Sequence, residues 1–453
     1  MNIFNEKELI YYIDNYETKF SDKRERGSVF TNSNLINKML NKLPKKVWKN
    51  PDLKWLDPGC GIGNFHIIVY FRLMKSLPIE NEEMKRKHII ENMLFFVELN
   101  KNYIDILKNI FCSYKYNINI FHGSFVNLNT LEENIHVFNN DIFHIYFDII
   151  LGNPPFQKIN SINKEKLSSK PLYPFFVDTS IQNLGKNGYL LFIHPVSWRR
   201  KSKEIKIMKV ILNLKLLYIY TNNNFKEFNI SAPYINYYLL QNSKYNKKNL
   251  TVYDTYFNDK YYTGKIHLTK ELQFIPIFLT KETMNIFEKI LNKEGDKFDV
   301  QLESKLSTSK KNIIIDKNEE FKYLNLHSLS KKNGRIFRYS KIKHPCHDKL
   351  KILMNFHGGY KYLDPFIDDG TMGITDSSMR LYIDDNNKDL LLSYFKSNLL
   401  NFLLMCTTYN YGTNQKNEFH IINLFTIPNT IDFYDFYLID VQEQSFIKNT
   451  LII

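Results

Sequence analysis

The sequence predicts a doubly wound α/β domain followed by a C-terminal region of mixed α+β structure. Between residues 53 and 241, short apolar runs alternate with stretches of helical periodicity, which is the pattern of a parallel sheet covered by helices. Three glycines fall within five positions directly after the first apolar run, although the whole chain of 453 residues contains only 16. Beyond about residue 270 the pattern becomes irregular, so a domain boundary is expected between residues 250 and 270.

Two amphipathic helices are expected before the sheet, around Glu8–Tyr16 and after the capping sequence Asn32-Ser33-Asn34. The polar segment Asn242–Asp259 is interpreted as a connector between the two domains. Seven apolar runs are the strand candidates: Leu53–Leu56, Leu94–Val97, Ile118–Phe121, Phe147–Leu151, Tyr189–His194, Leu216–Tyr220 and Tyr234–Leu240.

Composition excludes several classes of protein. An apolar content of 43% with 15% aromatic residues allows a sizeable core and excludes a chain disordered throughout. No apolar run approaches the ~18 residues of a membrane span, and the N-terminus is charged where a signal peptide would be apolar. The four cysteines lie far apart, which argues against a disulfide scaffold and a structural zinc site. We therefore expect a soluble, intracellular (cytoplasmic) protein.

The net charge of +14 favours a polyanionic partner, but its meaning is open. The chain contains a single alanine, Ala232, and an excess of Lys, Asn, Ile, Tyr and Phe, as an AT-rich coding sequence would give. Part of the positive charge can therefore reflect codon usage rather than nucleic-acid binding.

The glycine cluster lies in the segment Asp57-Pro58-Gly59-Cys60-Gly61-Ile62-Gly63-Asn64-Phe65, between the first strand and a helix. Glycines at this junction let the backbone turn tightly and approach a nucleotide-like ligand, although an ordinary βα turn has the same composition. Glu98 follows the second strand, where a carboxylate can accept the hydroxyl groups of a ribose; a solvated loop carboxylate is the alternative.

A second polar motif, Asn153-Pro154-Pro155-Phe156, follows the fourth strand. Prolines fix the backbone and lack N–H donors, so the carbonyl groups and the Asn153 amide oxygen can act as paired acceptors for an exocyclic amino group. Phe156 can stack on a planar base. A proline-stiffened turn would explain the motif if it stood alone.

Together, these motifs resemble those of the S-adenosylmethionine-dependent N6-adenine DNA methyltransferases. The segment Gly27-Ser28-Val29-Phe30-Thr31 resembles the N-terminal cofactor motif of that family, and its position before the glycine loop gives the order of the gamma class found in type II restriction–modification systems. The resemblance covers residues 27–240. It implies a Rossmann-like catalytic domain at residues 1–255 and a DNA target-recognition domain at residues 256–453.

The resemblance also implies roles for single residues. Asp57 and Gly59 would line the amino-acid side of S-adenosylmethionine, and Glu98 would hold its ribose. Gly61 and Asn153 would also contact the cofactor. Asn153 to Phe156 would bind and activate the adenine, with Phe228 on the other face of the base or in the core. The remaining cofactor contacts implied are Phe30 and Thr31 at the methionine end, and Ser124 and Phe125 at the adenine, where the family often has an aspartate.

The C-terminal region interleaves basic and aromatic residues, which suits contact with phosphates and bases; a solvated basic face is the alternative. Lys341 and Lys343 are the candidates for substrate contact. We expect a monomer that acts on double-stranded DNA with a flipped-out base, without a metal ion and without a membrane. The alternatives are an RNA adenine-N6 methyltransferase, a protein glutamine methyltransferase and an inactive nucleic-acid-binding module.

Overall fold

A computed structural model describes residues 2–16, 31–126, 145–156, 171–200, 206–222, 234–302, 313–330, 334–356, 363–409 and 419–452. The chain divides into two compact units. The first comprises Met1–Thr221, Ile235–Asp254 and Lys265–Gln273, and the second comprises Asn222–Tyr234, Thr255–Gly264 and Phe274–Ile453. The assignment of a catalytic role to residues 1–255 and of DNA recognition to residues 256–453 stays a prediction.

Two N-terminal helices form where the sequence predicts them. Helix α1 spans Glu6–Asn15, and helix α2 spans Ser33–Leu40. Asn32 caps α2, because its side chain accepts a hydrogen bond from the backbone N–H of Leu35. Both helices bury one apolar side, as their periodicity requires.

All seven predicted strands are present, with shifted ends. They are β1 (Trp55–Asp57), β2 (Leu94–Glu98), β3 (Asn119–His122), β4 (Phe147–Gly152), β5 (Leu184–Pro195), β6 (Leu214–Asn222) and β7 (Ile235–Lys244).

The strand order is β3-β2-β1-β4-β5-β7-β6. Strands β1 to β5 are parallel to one another, whereas β7 lies antiparallel between β5 and β6. Leu56 pairs with Phe95 of β2 on one side and with Ile150 of β4 on the other. The strands β2 and β3 lie on one side of β1, and β4 and β5 lie on the other, so the strand order reverses at β1. The carboxyl ends of β1, β2 and β4 therefore meet at one edge, which is where open α/β sheets bind ligands.

The helices that flank this sheet are short, and one of them depends on a glycine. Gly63 caps the first of them, α3 (Asn64–Ser76), with a φ of +90°. A Cβ at Gly63 would lie 2.6 Å from Leu107 Cδ2. A larger residue would be strained in this conformation and would also separate two packed helices.

The helices are α3 (Asn64–Ser76), α4 (Glu82–His88), α5 (Lys101–Ile110), α6 (Tyr173–Asn183) and α7 (Ile207–Leu212). Single turns complete the set: 3₁₀ helices at Lys45–Lys49 and Val196–Arg199, and a π-helical turn at Ile89–Met93.

The interpretation of Asn242–Asp259 as a connector is wrong. β7 runs on to Lys244, and Thr251–Phe257 forms strand β8, which is followed by β9 (Lys260–Ile266) in the same sheet. Alternate residues of β8 are buried, but two of these inward positions are threonines. Because threonine is polar, the sequence of β8 does not show the alternation of apolar and polar residues that marks a strand. From its sequence alone, the segment is therefore interpreted as a connector.

The second unit has the predicted mixed α+β structure. Its strands form two small sheets, in the orders β10-β12-β11-β15 and β14-β13-β16. Leu326, Cys346, Leu353 and Ile374 form a buried core cluster, and Lys351 pairs with Asp368 in the interior. The strands are β10 (Ile313–Ile314), β11 (Tyr323–Ser330), β12 (Gly334–Ser340), β13 (Lys351–Asn355), β14 (Phe366–Asp368), β15 (Gly373–Ile374) and β16 (Ser378–Tyr382). The helices are α8 (Lys281–Asn292), α9 (Lys388–Lys396), α10 (Asn398–Thr407), α11 (Phe419–Ile422), α12 (Phe433–Phe436) and α13 (Val441–Leu451).

Among the described residues, no single helix has the length and apolar character needed to cross a membrane. The pair α9 and α10 reaches that length only when both helices are taken together across a 53° bend.

Candidate active site

The glycine loop is pinned between the ends of β1 and β2. The backbone N–H of Cys60 donates to the Val97 carbonyl (3.2 Å), and the N–H of Gly63 donates to the Cys60 carbonyl (2.8 Å). Gly61 has a φ of +55°. These bonds hold the loop in a tight turn at the carboxyl edge of the sheet, as the sequence predicts.

Asp57 ends β1 with its side chain buried, at 1% exposure. Its Oδ1 accepts a hydrogen bond from the Gly59 N–H at 3.3 Å. Burial raises the pKa of Asp57 to about 8, the Gly59 hydrogen bond opposes that shift, and the negative charge of Glu98 adds to it. The buried carboxyl is therefore largely protonated at neutral pH and can release its proton when a cation binds beside it.

Asp57 also contacts the residue before the Asn-Pro-Pro-Phe motif. Gly152, at the end of β4, has a φ of +152°, and a Cβ there would lie 2.7 Å from Asp57 Oδ1. Only glycine lets the backbone of β4 come this close to the Asp57 carboxyl. The ends of β1 and β4 therefore lie close together at this edge.

Glu98 is the last residue of β2, and its carboxylate accepts hydrogen bonds from the glycine loop and from the turn that follows β2. Its Oε2 accepts from the Gly61 N–H (2.8 Å), and its Oε1 accepts from the Asn100 N–H (2.7 Å). A carboxylate oxygen can accept more than one hydrogen bond, so the two loop bonds do not exclude a sugar hydroxyl as a further donor. Glu98 therefore orients the glycine loop.

Asn153 to Phe156 follow β4 at the same edge. Asn153 donates from Nδ2 to Thr31 Oγ1 at 3.1 Å, and its Oδ1 is shielded from solvent. Pro155 packs against the glycine loop: its Cδ lies 3.5 Å from the position of a Cβ at Gly59. Phe156 is half-buried, and its carbonyl accepts a hydrogen bond from the Leu172 N–H at 2.9 Å.

Thr31, Asp57, Gly59, Gly61, Glu98 and Asn153 thus lie within one connected group of contacts. Asn64, at the start of α3, joins this group, because its Nδ2 donates to the Thr31 carbonyl at 3.0 Å. Sequence reasoning assigned no role to Asn64 or to Gly152. Their position within or beside the two motifs was the available signal, but the contacts themselves depend on the fold.

Ser124 and Phe125 follow β3, next to β2. The Ser124 hydroxyl donates to the Val126 carbonyl (2.8 Å), so its own turn already uses its proton. Phe125 is buried, with its ring 5.7 Å from that of Phe176. The predicted contacts of these two residues with the cofactor adenine stay predictions.

Four predicted site residues remain: Phe30, Phe228, Lys341 and Lys343. Phe30 and Phe228 fall outside the described residues. In the second unit, the exposed side chain of Lys341 pairs with Glu320, and that of Lys343 pairs with Asp348. Each lysine therefore has an acidic neighbour that a phosphate group would have to displace.

Comparisons with known proteins show which sequences and folds this chain resembles. Residues 68–230 match the family described as Eco57I restriction-modification methylase. A protein of Mycoplasma pneumoniae named "Uncharacterized adenine-specific methylase" is 26% identical over 347 residues, which cover 60% of this chain and 79% of that protein.

Two solved structures have a similar fold. The type IIL restriction-modification enzyme MmeI, solved in complex with DNA, superimposes with a TM-score of 0.56 at 12% identity, over 96% of this chain and 72% of MmeI. The DrdV–DNA complex gives a TM-score of 0.53 at 12% identity, over 84% of this chain and 52% of that chain. At these identities the similarity is one of fold.

Proposed function

We propose that this chain, whose residues 68–230 match the Eco57I restriction-modification methylase family, transfers a methyl group from S-adenosylmethionine to the N6 amino group of adenine in DNA. The observation that carries the proposal is the meeting of three strand ends at one edge of the sheet. There, the Asp57 carboxyl lies beside Gly152, and Glu98 accepts a hydrogen bond from Gly61. Asn153 donates a hydrogen bond to Thr31. The named methylase of Mycoplasma pneumoniae supports the choice of adenine.

The donor groups at this edge fit S-adenosylmethionine. The ammonium group of its amino-acid end matches the buried Asp57 carboxyl, and its ribose diol matches the Glu98 carboxylate beside the loop. The glycine loop admits it because Gly59 and Gly61 place no side chain there. When bound, S-adenosylmethionine supplies a methyl group activated on a sulfonium centre.

The chain activates the acceptor nitrogen by hydrogen bonding. The lone pair of adenine N6 is delocalised into the ring, so N6 is a poor nucleophile. Hydrogen bonds from N6 to Asn153 Oδ1 and to the Pro154 carbonyl draw the nitrogen toward tetrahedral geometry and localise the lone pair. Because Oδ1 is shielded from solvent, neighbouring groups must move aside as the base enters. Catalysis is then chiefly a matter of positioning and of prearranged acceptors.

The target adenine must leave the double helix to reach Asn153. Extrusion of a base costs roughly a few kcal/mol, which stacking on an aromatic ring helps to offset. The half-buried Phe156 is the aromatic residue next to the acceptors, and we assign it this role. Lys341 and Lys343 in the second unit are assigned to phosphate contact.

The proposal is tested by supplying methyl-labelled S-adenosylmethionine with double-stranded DNA, RNA or protein, and identifying the labelled product by mass spectrometry. N6-methyladenine in DNA is the expected product. Label in RNA or in glutamine would assign the same site to another substrate, and the absence of label would contradict the proposal. Asn153→Ala should abolish transfer while cofactor binding stays within about tenfold, ~1.4 kcal/mol.

A further inference from the structure

The backbone from Thr31 to Ser33 is held by several hydrogen bonds. Asn64 Nδ2 donates to the Thr31 carbonyl at 3.0 Å, and the next residue, Asn32, caps α2. Ser33 donates from its backbone N–H and from its hydroxyl to Asp14 of α1, at 2.6 and 2.5 Å. Thr31 itself is buried, at 6% exposure. The backbone that carries the Thr31 side chain is therefore anchored before any ligand binds.

This fixed hydroxyl contacts the catalytic amide. Asn153 Nδ2 donates to Thr31 Oγ1 at 3.1 Å. A side-chain amide can be turned so that its oxygen and nitrogen exchange places, and the two orientations have opposite hydrogen-bonding character. Only the orientation with Oδ1 toward the substrate can accept a hydrogen bond from an amino group. A hydroxyl can accept from Nδ2 or donate to Oδ1, and in this structure Thr31 accepts from Nδ2, which directs Oδ1 away from Thr31.

We propose that Thr31 is a positioning residue that orients the Asn153 amide so that its oxygen, and not its nitrogen, meets the acceptor amino group, and that Asn64 holds Thr31 in place. This inference rests on the proposed function and adds to it, since the resemblance to known methyltransferases implied only a cofactor contact for Thr31. The two roles make different predictions. A residue that only binds cofactor affects the concentration needed for saturation, whereas one that orients Asn153 affects the rate at saturation.

The test compares Thr31→Val with Thr31→Ser. Valine has the shape of threonine without the hydroxyl, and serine keeps the hydroxyl. The matched control is Thr251→Val, because Thr251 is also buried in the first unit and donates one hydrogen bond, to the Leu216 carbonyl at 2.9 Å. The measurements are kcat at saturating S-adenosylmethionine and DNA, the dissociation constant of the cofactor by calorimetry, and the melting temperature.

Thr31→Val should lower kcat at saturation about tenfold, since it removes one hydrogen bond and frees the amide to turn. Thr31→Ser should recover kcat to within about threefold of the unaltered protein, and Thr251→Val should leave it unchanged. A kcat for Thr31→Val within twofold of the unaltered protein would overturn the inference, whatever happens to cofactor affinity. No methyl transfer by the unaltered protein to DNA, RNA or protein would overturn the proposed function and this inference together.

A second comparison separates orientation from general damage. In Asn153→Asp the side chain carries two equivalent oxygens, so turning it changes nothing for an amino group. Thr31→Val should therefore cost less in kcat on the Asn153→Asp background than on the native background. An equal loss on both backgrounds would show that Thr31 acts by another route and would overturn the inference.

Discussion

Cofactor binding is expected to depend on pH through Asp57. Burial raises the pKa of this carboxyl to about 8, so that at pH 7 roughly a tenth of the protein carries the charged form that a cation prefers. When only the charged form binds, the apparent affinity falls in proportion to its population. The affinity for S-adenosylmethionine should therefore decrease as the pH falls below 8, about tenfold between pH 7 and pH 6.

The same linkage predicts proton release. A carboxyl that is mostly protonated before binding and charged afterwards should release a proton when the cofactor binds at pH 7. Calorimetric titrations in two buffers of different ionisation enthalpy measure this release directly. Asp57→Asn is the matched control: it should bind more weakly, with no proton release and with an affinity that does not change between pH 6 and pH 7.5. Constant affinity and no proton release in the native protein would refute the assignment of Asp57.

Two further predictions concern the ribose site and the C-terminal basic residues. Glu98→Ala should weaken S-adenosylmethionine binding by roughly 1.5–3 kcal/mol, because it removes a charged acceptor that also holds Gly61 and Asn100, and unchanged calorimetric affinity would place the ribose elsewhere. Replacing Lys341 and Lys343 with alanine should lower affinity for all duplexes alike and reduce the salt dependence of log K by up to about two units, roughly 0.9 per lost phosphate contact. Replacing their partners Glu320 and Asp348 with glutamine and asparagine should do the opposite, and an unaltered salt slope in both pairs would show that this face does not meet DNA.

Much of the first unit could be predicted because its strands are short apolar runs bounded by polar or glycine-rich turns. The position of β2 and β4 between such turns is visible in the sequence. Their order in the sheet is not, because pairing Leu56 with both Phe95 and Ile150 requires contacts between residues about forty and ninety positions apart. Strand β8 was missed for a local reason, since Thr251 and Thr255 occupy inward positions where the pattern calls for apolar side chains.

The residues of the candidate site could be predicted from the sequence, but the contacts between them could not. The two motifs and Glu98 were recognisable from their residue types, and the structure brings them to one edge of the sheet. Gly152 contacts Asp57, and Thr31 contacts Asn153, only because the fold brings distant parts of the chain together. No local sequence pattern encodes these two contacts. In the second unit, the charges of Lys341 and Lys343 were evident, but the acidic residues that pair with them became apparent only in the folded chain.

The most direct test of the account is the methylation pattern that this protein leaves on DNA in a cell. The native chain and Asn153→Ala would each be expressed in a bacterial host without adenine methylation, and the genomic DNA would be read by single-molecule sequencing that distinguishes methylated bases. The account predicts N6-methyladenine at one recurring sequence with the native chain and none with Asn153→Ala. Unmodified adenine with the native chain, or methylation confined to cytosine, would contradict the assignment of this site to adenine N6 in DNA.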